Sequence, residues 1–323
     1  MSLGSPLTSD NYPLSRPTLT DSGRGCAINC TQAPPIVWDY VHASLAENTR
    51  RAYLSDLAHF DAWGGRIPTT EEILATYLAA HAGKLKTSTL TRRLAAISKA
   101  HSGANNPAHS ALVRATMRGI MRMHRLPPTQ ARPLVRDELL AVVDAMGNEL
   151  RDARDRALLL IGFAGAFRRS ELVALNSEDA DFRREGLLLQ VRRSKTDQCG
   201  GGRQIAIPHS TLQCCPVASL RAWLDYSGIE GGPIFRRVDR NDRVFGRLSG
   251  EAVALIVKRR VAAAGLHQDR YSGHSLRSGF ATTAARQGLT VWDIRRQTGH
   301  ASISTLAGYV RDAELLANSR SLL

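Results

Sequence analysis

The chain has 323 residues, more than one average domain needs, and its 43% hydrophobic content is enough for a sizeable core. Its 43 Lys and Arg against 29 Asp and Glu give a formal net charge of +14, which favours a nucleic-acid partner over a protein that is merely basic. No apolar run is long enough to cross a bilayer and no signal peptide is evident, so we expect a soluble, cytoplasmic protein with no membrane partner.

The cysteines predict neither a disulfide framework nor a cofactor site. They are few and unevenly spaced, and two are adjacent, which is typical of reduced thiols. Cys26 and Cys30 could form half of a metal site, but no second pair of Cys or His follows at zinc-finger spacing. We therefore expect no metal and no other cofactor. The cysteines are Cys26, Cys30, Cys199, Cys214 and Cys215.

The first part of the chain is predicted to be a disordered tail followed by a small helical domain. Residues 1–33 are rich in Ser, Thr, Pro and Gly and have no apolar periodicity. From residue 34 to residue 125 the apolar residues recur at helical spacing, as in Tyr53, Leu57 and Phe60. We expect a bundle of four helices over residues 34–125.

Arginines on the third and fourth of these helices are candidates for DNA contact. Arg92 and Arg93 lie on the polar side of the third helix, and Arg114, Arg118 and Arg122 recur along one face of the fourth. A charged stripe is often only a solvated face. A stripe of one sign in a basic chain instead favours contact with phosphates, so we predict that these arginines bind DNA.

A proline-rich segment at residues 126–134 cannot continue a helix and is predicted to be a semi-rigid linker. The second domain then covers residues 135–323. Its strands are predicted at residues 187–191 and 204–207, joined by a Gly-rich loop that carries Lys195. The pattern predicts a mainly α, two-domain fold, with an α+β second domain that contains a small antiparallel sheet.

Helices fill the rest of the second domain, and glycines end several of them. Beyond Asp312 the tail carries four leucines but leaves little protein to pack against, so it docks either on a neighbouring subunit or on its own domain. The helices are predicted at residues 155–164, from Arg168, after Pro216, and at residues 249–264, 275–287, 291–298 and 302–310.

Six residues of the second domain form one candidate site. Some have an ordinary explanation when taken alone, since Arg168 can pair with Glu171 and both His274 and Arg277 can cap a helix. Their conjunction in a basic chain points to phosphate chemistry. The candidates are Arg168, Lys195, His274, Arg277, His300 and Tyr309.

These residue types suit the cleavage of a phosphodiester bond without a metal ion. A tyrosine such as Tyr309 can attack phosphorus and form a covalent intermediate. Arg168 and Arg277 can bind the nonbridging oxygens, which gain negative charge in the transition state. His274 and His300 can donate hydrogen bonds and move protons, and the hairpin lysine can protonate the leaving 5′-hydroxyl.

Other phosphate and hydrolase sites do not fit the sequence. No Gly-rich loop followed by Lys and Ser or Thr forms a P-loop. Residues 273–277 begin like a nucleophile elbow, but the fifth position is Arg277 instead of Gly and no strand precedes it. No carboxylate cluster suggests two-metal phosphoryl transfer.

Residues 166–172 (AFRRSEL), 274–277 (HSLR) and 299–309 resemble the signature of the tyrosine recombinases, which include phage integrases and the Cre and Xer recombinases. In layout the chain resembles the two-domain Cre and Xer types. The resemblance implies that Arg168 and Arg277 clamp a DNA phosphate. It further implies Lys195 as general acid, His274 as the histidine of the His-x-x-Arg motif, His300 at a His-or-Trp position, Tyr309 as nucleophile and Glu171 as an orienting acid.

The function implied by this resemblance is site-specific recombination of double-stranded DNA, in the integration, excision or resolution of mobile elements. A SAM-like helical bundle and the catalytic domain would clamp the duplex. A homotetramer, with one dimer on each DNA site, would form 3′-phosphotyrosine links and a Holliday junction without metal or ATP. Docking of the C-terminal segment on a neighbouring subunit is our hypothesis for how only half of the active sites would react at a time. The alternatives are a type IB topoisomerase, a hairpin telomere resolvase, or a non-catalytic DNA-binding protein.

Overall fold

A computed structural model of the protein describes residues 44–101, 105–126, 130–192, 202–210, 214–300, 302 and 306–308. The predictions for the N-terminal tail, Lys195, Tyr309 and the segment after Asp312 lie outside these residues. By its internal contacts the chain divides into two compact units, Met1–Pro128 and Thr129–Leu323, which we call the N-terminal and C-terminal units. No helix in the described parts of either unit has the length and apolarity to span a membrane.

The N-terminal unit is a bundle of helices, in line with the helical periodicity. Side chains cap two of its helices: Thr70 Oγ1 accepts the Ile73 N–H at 3.4 Å, and Ser110 Oγ accepts the Val113 N–H at 3.1 Å. Leu57 and Phe60 are buried in the core of this unit. The helices are α1 (Glu47–Ala62), α2 (Glu71–Ala80), α3 (Thr87–Ala100) and α4 (Ala111–His124).

The C-terminal unit is built around a central helix that begins five residues before its predicted start. Most of its apolar residues are buried, and its N-terminus is capped by Glu149 and Asp152, since the Asp152 carboxylate accepts the Glu149 N–H at 3.3 Å. The helices of this unit are α5 (Arg136–Asp144), α6 (Leu150–Ala164), α7 (Arg169–Ala174), α8 (Pro216–Ser227), α9 (Gly250–Ala263), α10 (Ser275–Arg286) and α11 (Val291–Thr298).

The predicted hairpin is present, and it belongs to a three-stranded antiparallel sheet in the order β1-β2-β3. Leu189 lies opposite Ile205, and both are buried against the core, so the period-2 pattern fixes the register. Three short strands were not predicted, because three or four residues of mixed polarity show no alternation. The strands are β1 (Ala180–Phe182), β2 (Gly186–Val191), β3 (Arg203–Pro208), β4 (Arg236–Val238) and β5 (Val244–Arg247), the last two forming a separate ribbon.

A buried ion cluster joins α6 to α9. The Asp155 carboxylate is fully buried and accepts from Arg259 at 2.6 Å and Arg260 at 2.7 Å, while Arg154 binds its other oxygen at 2.7 Å. A buried carboxylate without such partners would be strongly destabilising, so the cluster fixes how the two helices pack.

The end of the predicted linker is bound to the C-terminal unit. The Arg132 N–H donates to the Arg270 carbonyl at 2.7 Å, and the Leu134 N–H donates to the Ser275 carbonyl at 2.9 Å. Leu134 is fully buried, and its backbone passes so close to Gly279 that a Cβ there would meet the Leu134 oxygen at 1.9 Å. These residues are therefore part of the α10 environment and not a free tether. Cys214 and Cys215 are free thiols, and the other cysteines lie outside the described residues.

Candidate active site

Arg168 and Glu171 form the first part of the site, at the start of α7. Arg168 precedes the helix, and its N–H donates to Glu171 Oε2 at 3.0 Å, as in a capping interaction. Its Nη1 donates to Glu171 Oε1 at 2.6 Å, and its Nη2 donates to the Gly299 carbonyl at 3.1 Å. The ordinary ion pair and the functional interpretation are thus compatible, because the pair sets the direction of the guanidinium.

A tight turn before α7 brings the second arginine to the first. Ala166 has a φ of 48°, a left-handed conformation that costs energy for a residue with a Cβ. The turn directs the Ala166 carbonyl to Arg277, whose Nη1 donates to that carbonyl at 2.8 Å. Arg277 comes from the first turn of α10 and is only 1% exposed. A buried, permanently charged guanidinium held by a backbone carbonyl is suited to bind an anion.

His274 immediately precedes α10 and is open to solvent, although protein atoms pack around its ring. The backbone N–H of His274 donates to Ser272 Oγ at 3.1 Å. Partial burial, together with the positive charges of Arg277 and Arg168, lowers the pKa of His274 below 6.5. The imidazole is therefore neutral at pH 7 in the absence of a bound anion and can accept a proton.

His300 follows the C-terminus of α11, where Gly299 adopts a left-handed conformation with φ 63°. Burial and the charges of Arg277 and Arg168 lower the pKa of His300 to about 3. Its Nδ1 lies 2.8 Å from Thr298 Oγ1, and that hydroxyl donates its own hydrogen to the Ile294 carbonyl at 2.7 Å. The hydroxyl can then only accept from the ring, so Nδ1 carries the hydrogen of the neutral imidazole.

Arg203, the first residue of β3, is a member of the site that the sequence did not predict. Its Nη2 donates to Glu171 Oε2 at 3.0 Å and its Nη1 donates to the Gln297 carbonyl at 2.7 Å. The only signal in the sequence is an arginine shortly after the hairpin loop, among 43 Lys and Arg. Nothing local distinguishes it from a solvated strand end.

The described part of the site is strongly positive. Arg168 and Arg203 share the carboxylate of Glu171, which is 2% exposed, while Arg277 donates to the Ala166 carbonyl. Two neutral imidazoles complete the set. Such a group can bind a phosphate and stabilise added charge on it.

Lys195 and Tyr309 lie outside the described residues, so their roles stay predictions. Among the described residues, no three His, Cys, Asp or Glu side chains are placed to hold a metal ion.

Two of the five arginines predicted to bind DNA have internal partners in the N-terminal unit. Arg92 binds Asp56 through Nε at 2.7 Å and Nη2 at 2.9 Å. Arg93 is only 9% exposed, with Nη1 3.2 Å from the Tyr77 hydroxyl and 2.9 Å from His59 Nδ1. Arg93 thus packs against α1 and α2 and does not lie on an exposed polar face, and contact of Arg92 and Arg93 with DNA stays a prediction.

The three arginines of α4 lie on the surface. Arg114, Arg118 and Arg122 are exposed, and the opposite face of the helix buries Val113 and Met117. This is the geometry of an amphipathic helix with one basic face. Their contact with DNA stays a prediction.

Comparison with known proteins identifies the family. A model of the phage integrase family matches residues 132–315, which include all six candidate residues. A XerD homologue described as an integrase/recombinase, from Selenomonas ruminantium, is 38% identical over 289 residues, covering 85% of this chain and 85% of its own. Tyrosine recombinase XerC from Mycobacterium leprae (strain TN) is 30% identical over 288 residues, covering 83% of this chain and 89% of its own.

Solved structures share the fold. A lambda integrase dimer bound to a COC′ core site matches with a TM-score of 0.60 at 19% identity, over 86% of this chain and 76% of that one. XerH site-specific recombinase bound to its palindromic difH substrate matches with a TM-score of 0.56 at 19% identity, over 84% of this chain and 79% of that one. The mainly helical fold with small antiparallel sheets is thereby confirmed. The chain belongs to the phage integrase family and is a tyrosine site-specific recombinase.

Proposed function

We propose that the chain cuts and rejoins double-stranded DNA at a specific site through a 3′-phosphotyrosine intermediate formed by Tyr309. The observation that carries the proposal is the convergence of Arg168, Arg277, His274 and His300, from three separate elements, on one positive site, in which Glu171 is the carboxylate paired with Arg168 among the described residues. A phosphodiester is the substrate whose transition state needs such a set.

In the proposed step, the Tyr309 oxygen attacks phosphorus and the bond to the 5′-oxygen breaks. Arg168 and Arg277 bind the nonbridging oxygens, and Glu171 keeps Arg168 directed at them. Lys195 gives a proton to the leaving 5′-hydroxyl. The reverse attack by a 5′-hydroxyl on the phosphotyrosine rejoins the strand. The phosphodiester energy is kept in the covalent link, so the step requires neither ATP nor a metal ion.

The two histidines of the site differ in their proposed roles in proton transfer. The protein atoms packed around its ring and the charge of Arg277 lower the pKa of His274, which leaves it neutral and able to accept the Tyr309 proton. His300 is neutral as well, and its Nδ1–H is already donated to Thr298. A bound phosphate raises the pKa of both imidazoles, because its negative charge favours their protonated forms.

The assembly follows by analogy with the lambda integrase, of which a dimer on a core site and a tetramer on a Holliday junction have been solved. We infer that two dimers of this chain, one on each DNA site, form a homotetramer and exchange strands through a Holliday junction. Arg114, Arg118 and Arg122 of the N-terminal unit supply phosphate contacts.

Covalent trapping tests the proposal. Nicked suicide duplexes from the DNA flanking the gene are mixed with wild type and with Tyr309→Phe, and protein–DNA adducts that resist SDS are measured. We expect an adduct on one duplex that requires Tyr309. Adduct formation by Tyr309→Phe would mean another nucleophile, and salt-sensitive binding without any adduct across the flanking fragments would contradict the cleavage activity.

A further inference from the structure

The groups proposed to bind the scissile phosphate share an unusual neighbour in Arg203. It lies on β3, whereas Arg168 and Glu171 lie at α7 and His300 follows α11. One end of its guanidinium reaches Glu171 Oε2 at 3.0 Å, and the other reaches the Gln297 carbonyl at 2.7 Å. Arg203 therefore ties the sheet to the start of α7 and the end of α11, two of the three helix ends that carry site residues.

The contact with Glu171 bears on the phosphate clamp. Glu171 Oε2 accepts from both the Arg168 N–H and Arg203, while Oε1 accepts from Arg168 Nη1 at 2.6 Å. The carboxylate is 2% exposed and so depends on these donors. Because it is shared between two guanidiniums, it neutralises Arg168 only in part, and the cluster of these three side chains keeps a net positive charge.

The contact with α11 bears on His300 and on the second hydrogen bond of Arg168. Arg203 packs against Gly299, where an added Cβ would lie 2.7 Å from Nη1 and 2.9 Å from Cζ. The Gly299 carbonyl accepts from Arg168 Nη2 at 3.1 Å. Glycine is thus required at position 299 for two reasons. It adopts the φ of 63°, and its lack of a Cβ leaves the space that the Arg203 guanidinium fills.

From these contacts we propose that Arg203 is a positioning residue for DNA cleavage, one that sets the geometry of Arg168 and His300 without touching the DNA. The proposal rests on the function proposed above. Both ends of its guanidinium already have protein acceptors, and its side chain is only 20% exposed. A planar fork that spans two acceptors cannot be replaced by the single ammonium of lysine.

The test separates DNA binding from the cleavage step. Single-turnover cleavage of the nicked duplex is measured at saturating DNA, and Kd is measured by fluorescence anisotropy. For Arg203→Gln we expect the cleavage rate to fall about 100-fold, the loss that follows when supporting groups let a site shift by roughly 1 Å. We expect Kd to change by only about threefold or less, because Arg203 is proposed not to touch the DNA and most of the affinity comes from the other phosphate contacts. Arg203→Lys keeps the charge, and we expect it to remain at least about tenfold slower than wild type.

A matched pair of glycine variants tests the same geometry without changing any charge. Gly299→Ala and Gly228→Ala both place alanine at a helix end with φ 63°, but only at Gly299 does the new Cβ meet Arg203, and at Gly228 nothing lies within 4 Å. We expect Gly299→Ala to show the slow cleavage of Arg203→Gln and Gly228→Ala to cleave like wild type. Thermal unfolding of all four variants checks that they fold.

The outcomes are distinguishable. No adduct with wild type or Gly228→Ala would overturn the proposed function and this proposal with it. Normal cleavage by wild type together with fast cleavage by Arg203→Gln would overturn the positioning role alone. Full activity in Arg203→Lys would also overturn it, since charge and not geometry would then be what the site needs.

Discussion

At the scale of single residues, the site depends on imidazoles that the protein keeps neutral. Burial and the nearby Arg277 and Arg168 lower the pKa of His300 to about 3, against 6.5 for an unperturbed histidine. The unfolded chain therefore binds a proton more readily than the folded chain does. The contribution of His300 to stability is complete above pH 6.5 and is lost as the pH falls toward 3.

This linkage predicts a pH-dependent difference between wild type and His300→Gln. Between pH 7.5 and pH 5 the full pKa shift corresponds to about 2 kcal/mol, which we halve to roughly 1 kcal/mol because solvent screens a half-buried side chain. We therefore expect the Tm of the variant to fall by about 2–4 °C less than that of wild type. Differential scanning calorimetry at several pH values measures it. A parallel fall of Tm in both proteins would show that His300 is not held neutral.

Arg168 shows why an ordinary explanation and a functional one need not compete. Its pairing with Glu171 could be read from the spacing of three residues, since this is a common helix contact. The hydrogen bonds to Gly299 and the proximity of Arg277 could not, because these residues are more than 100 positions away in the chain. The local pattern predicts the pair, and only the fold gives it a direction.

At the scale of elements, buried ion pairs decide how the helices of the N-terminal unit pack. Asp56 on α1 is 1% exposed and accepts from Arg92, with Arg93 Nε at 3.6 Å. Asp61 on the same helix pairs with Arg66 at 2.5 Å, but the two side chains are 43% and 71% exposed. The two aspartates therefore form a matched comparison between a buried and an exposed ion pair.

We expect Asp56→Asn to destabilise the N-terminal unit by about 2–3 kcal/mol, below the full value for a buried pair, because Arg93 is buried but Arg92 is 50% exposed and keeps part of its hydration. For Asp61→Asn we expect less than about 1 kcal/mol, since solvent screens the exposed pair. Urea denaturation followed by circular dichroism measures both. Equal effects in the two variants would contradict the structural role given to Arg92 and Arg93.

The basic face of α4 makes a prediction about salt dependence. If Arg118 contacts a phosphate, Arg118→Gln lowers the slope of log affinity against log salt concentration by about 0.9. Arg66→Gln removes another exposed positive charge, one that is paired with Asp61, and we expect it to leave the slope unchanged. Anisotropy titrations from low to high salt distinguish the two. A slope unchanged by Arg118→Gln would mean that this face is merely solvated.

At the scale of the whole molecule, the proposed homotetramer needs a contact between subunits, and the segment after Asp312 is our candidate for it. Its four leucines in a short stretch are more than a solvated tail requires. Docking on a neighbouring subunit would couple the activity of one site to the position of the next.

We expect a chain that ends at Asp312 to cleave a nicked duplex at the wild-type rate but to form no tetramers with site DNA and no recombinants. Size-exclusion chromatography and a plasmid recombination assay measure the two losses. Normal tetramers and recombinants would contradict docking in trans. Loss of cleavage as well would place the segment on its own domain.

The sequence by itself determined the features that depend on neighbours in the chain. Helical periodicity and the alternation in β2 and β3 were readable because each reflects a pattern within a few neighbouring residues. The motifs at residues 166–172 and 274–277 led to the family because each is a short continuous stretch of the chain. The tertiary structure alone decided that Arg93 is buried, that Ala166 turns its carbonyl to Arg277, and that Arg203 joins the site. These contacts join residues distant in sequence, and no local pattern encodes which distant partner a charged side chain will meet.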